Sequence, residues 1–590
     1  MEKAFKGIAA SEGIAIGPAI IYQRPILEIF EKKIKEEERP AEIERLKQAV
    51  SQAKVQLEEI KEKSKKEVGL KEAEIFSAHL MLLDDPLILP VALHKISQKK
   101  ISAEQAWQEV IEEAAALFEQ IEDEYIRARV VDLKDVGERV LRNLQGKREE
   151  VLSELPEPSI ILAADLTPSD TAQMIFSKVL GLATEQGGRT SHTAIIARAL
   201  ELPTVVGLGD IISEASNGLT LIVDGYEGLV ILDPTPATRR KYQEKKEVYL
   251  AEKRKLAELR DLPAQTQDGF RLELAVNIGN PKDAQQARAY HPDGVGLFRT
   301  EFLYLDRNCL PEEEEQFQTY KEVAEIFSPK PIVIRTLDIG GDKDIPCLDL
   351  PKELNPFLGW RAIRIGLDRP EILKTQLRAI LRASPFAQIK LMFPMISTID
   401  EVRKAKALVE EVKKELLHQK VPFEKKVEIG IMIEVPSAAL AADILAKEVD
   451  FFSIGTNDLI QYTFSADRGN QRVSYLYQPF HPATLRLIKM TVEAAHAHGK
   501  WVGMCGEMAG EILATPLLVG LGIDELSMTA TSLLRVKQVV RKLSLADCQK
   551  LVREVFRLTE TSQIEARIKD FLKEKEKSSH SKTFARGSRF

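Results

Sequence analysis

The nine residues Phe451-Phe452-Ser453-Ile454-Gly455-Thr456-Asn457-Asp458-Leu459 carry the reading of the fold. The first four form a short, nearly apolar run of the kind that a parallel sheet buries on both faces. A glycine ends the run, and a polar pair follows within two residues. The same order recurs through the second half of the chain. Strands are predicted at Leu272 to Val276, Gly294 to Phe298, Ile332 to Arg335, Ile389 to Phe393, Val427 to Ile433, Phe451 to Ile454, Trp501 to Cys505 and Glu525 to Met528. With helical patterns between them, eight β/α units over about 300 residues predict a (β/α)8 barrel.

Polar groups then fall where a barrel builds its active site. Arg299, Arg335, Glu434, Asn457 with Asp458, and Cys505 with Glu507 each lie at or just past the C-terminal end of a different predicted strand. Two carboxylates without a Cys/His ligand set, Glu434 and Asp458, suit a hard cation such as Mg²⁺ whose remaining ligands are water and substrate oxygens. Arg299, Arg335, Arg361 and Arg468 offer planar forks for phosphate or carboxylate oxygens. A metal with an arginine clamp is what phosphoryl transfer requires, because that chemistry is mostly positioning and charge neutralisation. Cys505 can protonate a carbon if its thiol faces the substrate. Singly, a strand-end arginine is often a surface ion-pair residue, and an isolated buried cysteine is more often inert than reactive. The set on one face carries the reading.

Working toward the N-terminus, Lys and Glu alternate from Thr238 to Leu262, and Pro263 follows: a solvated helix between two cores, suited to a hinge or spacer. Before it, short apolar strands alternate with turns between Ser159 and Asp233. This α/β stretch contains Gly187-Gly188-Arg189-Thr190-Ser191-His192-Thr193, which sets a histidine at a strand-to-helix turn. Backbone N–H groups at a helix start favour an anion, and a neutral imidazole among them is suited to accept a phosphoryl group. Taken alone, such a turn is more commonly structural than catalytic. From about Glu28 to residue 145 the composition is charged helix. Ile43, Leu46, Val50, Ala53, Leu57 and Ile60 form one seam, and further helices are predicted around Ala73 to Leu83, Ala103 to Tyr125 and Asp132 to Leu144. The glycine-punctuated strands of residues 4 to 22 must find partners beyond this insert. The apolar helix end Ala78-His79-Leu80-Met81-Leu82-Leu83-Asp84-Asp85 reads equally as a docking surface or as a core helix.

The chain of 590 residues exceeds what one core supports. Four cysteines without paired spacing point to a reducing compartment. The formal net charge of −7 argues against a wholesale nucleic-acid or membrane-surface role, and no signal-peptide layout or long apolar window is found. A soluble cytoplasmic protein is expected.

The motifs Gly187 to Thr193, Gly296-Leu297-Phe298-Arg299-Thr300-Glu301-Phe302-Leu303, Arg335-Thr336-Leu337-Asp338-Ile339-Gly340-Gly341-Asp342-Lys343, Gly455 to Leu459, and Cys505-Gly506-Glu507-Met508-Ala509-Gly510 appear in collinear order. Together they resemble the family of Enzyme I of the bacterial phosphoenolpyruvate-dependent sugar phosphotransferase system. The resemblance implies a multidomain α/β protein: a phosphohistidine domain of residues 1–27 and 146–235, an inserted helical subdomain of 28–145 that binds the carrier protein HPr, a linker helix of 236–262, and a barrel of 263–573 that binds phosphoenolpyruvate and dimerises. It implies His192 as the phosphorylated residue, reacting through Nε2, and Cys505 as the proton donor that forms pyruvate. It also implies Glu434 and Asp458 as Mg²⁺ ligands, and Arg299, Arg335, Arg361, Asn457, Asp458 and Arg468 as substrate-binding residues. His79, Met81, Leu82, Asp84 and Asp85 lie in the segment that matches the HPr-binding helix end. Residues 574–590 continue past the family pattern and are expected to be disordered.

Two rival readings exist. The related dikinases need a further nucleotide-binding domain ahead of the histidine, and no glycine-rich phosphate loop is found before residue 150. A scaffold that kept only the helical insert's binding role would have no use for His192, Arg335, Glu434, Asp458 and Cys505 together.

Overall fold

The computed structural model describes residues 2–587 apart from 24–32, 68–69, 86, 120–123, 147–151, 153–154, 168–169, 172–173, 175, 189–190, 201, 305–308, 342–347, 349–352, 469 and 471. The chain divides into two compact units, Met1–Glu252 and Lys253–Phe590.

The first unit holds a sheet of eight strands, β1 (Lys3–Lys6), β2 (Ile8–Ser11), β3 (Ile14–Tyr22), β4 (Ser159–Ala163), β5 (Val179–Thr184), β6 (Thr204–Val206), β7 (Thr220–Asp224) and β8 (Leu229–Leu232). Their order is β1-β8-β7-β3-β4-β5-β6-β2. The early strands do find late partners: β3 pairs antiparallel with β7 and parallel with β4, while β1 and β2 pair with β8 and β6. Adjacent in sequence, β1 and β2 sit at opposite ends of the order, and Gly7 joins them. Its N–H donates to Gly228 O at 2.9 Å, and a Cβ there would lie 2.5 Å from Val206 O, so both ends of the sheet come together at this glycine.

Between β3 and β4 run five helices, α1 (Arg39–Glu67), α2 (Leu70–Asp84), α3 (Leu89–Lys99), α4 (Ala103–Glu119) and α5 (Glu124–Gln145). They enclose a core of their own. Leu46, Val50, Ala53 and Leu57 of the predicted seam are buried against Trp107, Leu133 and Val140, with Ile43 and Ile60 at its margin. The helix α3 was not anticipated in the sequence, where Pro86, which lies outside the described residues, reads as the stop of the preceding helix. A second proline, Pro90, occupies the first turn of α3, where a missing N–H costs nothing. Two further helices follow β5 and β8: α6 (His192–Ala199) and α7 (Pro236–Ala257).

The second unit is a closed barrel of eight parallel strands, β9 (Glu273–Ile278), β10 (Val295–Phe298), β11 (Pro331–Arg335), β12 (Gln388–Phe393), β13 (Glu428–Ile433), β14 (Phe451–Ile454), β15 (Trp501–Met504) and β16 (Glu525–Met528). Each lies within one or two residues of its predicted place. Leu297, Val333, Met392, Met432, Phe451 and Cys505 pack together inside the barrel. At the N-terminal end Phe451 and Trp501 stack with ring centroids 4.4 Å apart, and a Cβ on Gly430 would lie 2.4 Å from the Phe451 ring.

The expected disorder after residue 573 is corrected. The last helix runs Thr561–Gly587, so the backbone of 574–587 is helical. Ile564, Ile568 and Phe571 are buried and anchor the helix, and the Lys/Glu-rich extension propagates a helix already nucleated. Among the described residues, no single helix is long and apolar enough to cross a membrane.

Candidate active site

The strand ends deliver the polar residues to one mouth of the barrel. Arg299 follows β10, Arg335 ends β11, Glu434 follows β13 and Cys505 follows β15, while Asn457 and Asp458 sit in the first turn of the helix Thr456–Phe464 after β14. The residues interlock. Arg335 Nη2 donates to Glu301 Oε1 at 2.6 Å, and its Nη1 lies 3.1 Å from Asp338 Oδ2. Arg361 donates to the same Asp338 through Nε at 3.0 Å and Nη2 at 3.3 Å. Its Nη1 and Nη2 also reach Asp458 Oδ1 and Oδ2 at 3.3 and 3.4 Å, and Nη1 reaches the Tyr462 hydroxyl at 3.0 Å. Asn457 and Glu507 bond reciprocally: the Glu507 N–H donates to Asn457 Oδ1 at 2.9 Å and Asn457 Nδ2 to Glu507 Oε1 at 3.0 Å. Arg299 and Arg468 are exposed.

Burial sets the electrostatics. Glu301, Asp338 and Glu434 are buried and Asp458 is nearly so, and among the described residues these four carboxylates face two buried guanidiniums, Arg335 and Arg361. Burial opposes the charge on both arginines, but Glu301 and Asp338 around Arg335, and Asp338 and Asp458 around Arg361, more than compensate and hold them firmly protonated. Glu434 is pushed up to about 8 by burial, with Asp458 and Asp338 adding to the shift against the two arginines. One of its oxygens accepts the Met395 N–H at 2.6 Å, and Met395 holds a left-handed φ of 56° to make that bond. Among the described residues no group of three or more His, Cys, Asp or Glu is arranged to hold a metal by itself. Two carboxylates with a local excess of negative charge therefore fit a divalent cation that draws its other ligands from water and substrate, and do not fit a closed protein cage. Burial pushes the Cys505 thiol up to about 11, with Glu434 adding and Arg335 opposing, so the group is a thiol at neutral pH.

In the first unit, α6 begins at His192, with Ser191 as its N-cap accepting from the Ala194 N–H at 3.4 Å. Thr193 Oγ1 ties the helix to Leu166 O at 3.2 Å, and Gly187 adopts a left-handed φ of 106° in the turn before it. The His192 side chain, Arg189 and Thr190 lie outside the described residues.

Three family profiles match the chain: the N-terminal region of PEP-utilising enzymes over residues 6–129, their mobile domain over 155–228, and their PEP-binding domain over 253–545. A phosphoenolpyruvate-protein phosphotransferase of Priestia megaterium is 49% identical over 96% of this chain and 98% of its own length. The Bacillus subtilis (strain 168) and Staphylococcus carnosus (strain TM300) proteins of the same name are 49% and 47% identical over 96% and 97% of this chain, covering 99% and 100% of their own lengths. The chain belongs to the phosphoenolpyruvate-protein phosphotransferase family. A solution structure of an Enzyme I protein is 47% identical over 42% of this chain and 99% of its own, with a TM-score of 0.38.

For a phosphoenolpyruvate-protein phosphotransferase, the sequence reading missed the groups that hold the arginines. Asp338 and Glu301 stand inside the quoted motifs without a role, although Arg335 and Asp338 are an i, i+3 pair of opposite charge. Tyr462 and Met395 left no signal, since each reaches the site from a separate element. In the helical insert one expectation is corrected. His79 is fully buried, with Nε2 3.3 Å from Asp132 Oδ1, Nδ1 3.9 Å from Asp135 Oδ2 and an edge contact to Phe76, so it is not on a docking face. Met81 is 73% exposed. Leu82 packs partly on the bundle core, Asp84 is exposed and paired with Lys54, and Asp85 accepts the Leu87 N–H at 2.8 Å.

Proposed function

We propose that this enzyme takes the phosphoryl group of phosphoenolpyruvate onto Nε2 of His192, releases pyruvate, and passes the group to a histidine of the carrier protein HPr as the first step of phosphotransferase sugar uptake. The observation that carries this reading is the buried carboxylate excess beside a buried, protonated thiol at the barrel mouth. It is a site for an anionic enol ester, a divalent cation and a carbon-directed proton.

Arg299, Arg335, Arg361 and Arg468 take the carboxylate and phosphoryl oxygens, and Asn457 and Asp458 complete the substrate contacts. Glu434 and Asp458 would hold Mg²⁺, which would supply charge neutralisation for the substrate oxygens. Nε2 attacks phosphorus in line as the bond to the enol oxygen breaks, and the electron pair moves to C3. Cys505 gives its proton to C3 and regains one from solvent. The domain roles follow the boundaries given above: 28–145 docks HPr, 236–262 lets the histidine travel, and 263–573 binds substrate and dimerises. Exposed Met81 with Asp84 and Asp85 supports the docking role, and exposed Leu440, Ile444 and Tyr475 on the barrel unit support a homodimer. A cytoplasmic location fits a carrier-dependent reaction among soluble partners.

The test is labelling with [³²P]phosphoenolpyruvate and Mg²⁺. An acid-labile, base-stable label that moves to HPr is expected, and His192→Ala abolishes it while the chain stays folded. Labelling that persists in His192→Ala removes the assignment, and labelling from ATP favours a dikinase.

A further inference from the structure

Arg361 is held on two carboxylates of unequal grip. Its Nε and Nη2 lie 3.0 and 3.3 Å from Asp338, which is buried, whereas its contacts to Asp458 are longer, 3.3 and 3.4 Å, on the more open of the two acids. The backbone reinforces the first grip. The Ala362 N–H donates to Ile339 O at 2.9 Å, Ala362 takes a left-handed φ of 53° to do so, and Gly340 passes so near Trp360 O that a Cβ would lie 2.8 Å from it. The segments bearing Asp338 and Arg361 are thus stitched together by main chain and side chain. Asp458 belongs to the separate helix Thr456–Phe464.

We infer that Arg361 is the counter-ion of Asp458 before the divalent cation arrives, that it yields this carboxylate to the cation, and that Asp338 is the positioning residue that keeps its fork in the mouth for the substrate. The inference rests on the metal assignment proposed above. Arg361 faces both oxygens of Asp458. A small divalent cation needs short contacts to such oxygens in a near-ideal octahedron, and a guanidinium across the same carboxylate stands in its way and repels it. The weaker contact gives. The edge released from Asp458 then keeps, among the described residues, the Tyr462 hydroxyl on Nη1 and Asp338 on Nη2, which leaves one N–H on each nitrogen for which an anionic substrate oxygen is the complementary partner. Cation and substrate binding are coupled through this one side chain: the cation uncovers a donor that the substrate then fills.

The experiment measures Mn²⁺ affinity of the full-length protein without phosphoenolpyruvate, by electron paramagnetic resonance titration. Wild type is expected to bind, and Glu434→Gln to lose binding. Arg361→Lys keeps the charge but cannot span two carboxylates. It should bind Mn²⁺ at least about fivefold more tightly than wild type, and Arg361→Gln more tightly still. Arg299→Gln removes a charge from the exposed rim and should change affinity less than about twofold. In wild type Mn²⁺ should tighten phosphoenolpyruvate binding, and in Arg361→Lys that enhancement should shrink. Unchanged or weaker Mn²⁺ binding in Arg361→Lys, or an equal gain in Arg299→Gln, overturns the inference while leaving the metal site standing. Absence of Mn²⁺ binding in wild type, or its survival in Glu434→Gln, removes the metal assignment and the inference with it.

Discussion

Replacing Gly506 by alanine should damage the barrel mouth at both ends of one contact. Gly506 has an ordinary φ of −72°, so the requirement for glycine here is space alone. An added Cβ would lie 1.9 Å from Thr456 Oγ1 and 2.5 Å from Thr456 N, where ordinary contact begins at 3.4 Å. Rotation of the threonine hydroxyl relieves the first clash. The second involves backbone and demands a separation of about 0.9 Å, the difference between 3.4 and 2.5 Å. Thr456 is fully buried and opens the helix that carries Asn457 and Asp458, while Gly506 is flanked by Cys505 and Glu507. Either side that moves carries with it groups to which the proposed function gives substrate binding or proton donation. Overpacking of this size costs about 1–3 kcal/mol of stability, and a misplacement near 1 Å costs on the order of 10²-fold in rate. The assay is steady-state pyruvate release with HPr as acceptor, beside thermal unfolding of the same protein. Turnover should fall by about two orders of magnitude, with a drop in unfolding temperature of a few degrees. Adding Thr456→Ala should recover stability in part and turnover little, because the backbone clash persists. A Gly506→Ala protein with wild-type turnover and unfolding temperature would refute the coupling of the two loops.

Three further outcomes follow from burial. Glu525 is buried at the start of β16, and desolvation, with Glu273 adding and Lys390 opposing, pushes its carboxyl up to about 8. A raised carboxyl contributes stability that is fully present below its unfolded pKa near 4.5 and is lost as pH rises through about 8. Glu525→Gln should therefore gain in unfolding temperature relative to wild type between pH 5 and 9, and a constant difference would show that the side chain is not desolvated. The Cys505 thiol, buried and raised to about 11, should alkylate with iodoacetamide far more slowly at pH 8 than the exposed Cys309 and accelerate with each further pH unit, as read by peptide mass spectrometry. Equal rates at pH 8 would count against it. In the insert, His79→Leu leaves Asp132 and Asp135 buried without their imidazole and should lower stability by about 3 kcal/mol in urea with HPr affinity preserved, whereas Met81→Ser should weaken HPr about tenfold by calorimetry without loss of stability. The reverse pattern would return His79 to the docking surface.

The barrel was legible because its strands are buried on both faces. Ile332 to Ile334 and Ile429 to Ile433 read as uninterrupted apolar runs, and the first polar residue after each, Arg335 and Glu434, marks the end that faces the site. That reasoning reaches Arg299, Arg335, Glu434 and Cys505, which lie at strand ends. It does not reach what holds them. Glu301 and Asp338 are acids in a chain with 90 of them, and their significance depends on which guanidinium lies 3 Å away. Arg361 follows no strand and was legible only through its motif. The helix α3 and the helical 574–587 segment were missed for local reasons: proline is a stop inside a helix and a start at its first turn, and a Lys/Glu-rich run is solvated coil or solvated helix according to what precedes it.

The contrast within α2 is sharper, because His79 and Met81 are two positions apart on one helix. At 100° per residue, side chains two apart point to opposite faces. One of the pair had to enter the bundle if the other was to leave it. Which one enters is decided by the surroundings on α5: Asp132 and Asp135 are three apart, share a face, and set carboxylate oxygens 3.3 and 3.9 Å from the ring nitrogens of His79, polar surroundings that suit an imidazole better than a thioether. Thr167 bonds Asp135 from the far side at 3.0 Å, so the same buried cluster also fastens the insert to the sheet that carries α6. On the docking role proposed for the insert, His79 would serve the carrier interface from behind, by fixing the helix whose outer face presents Met81.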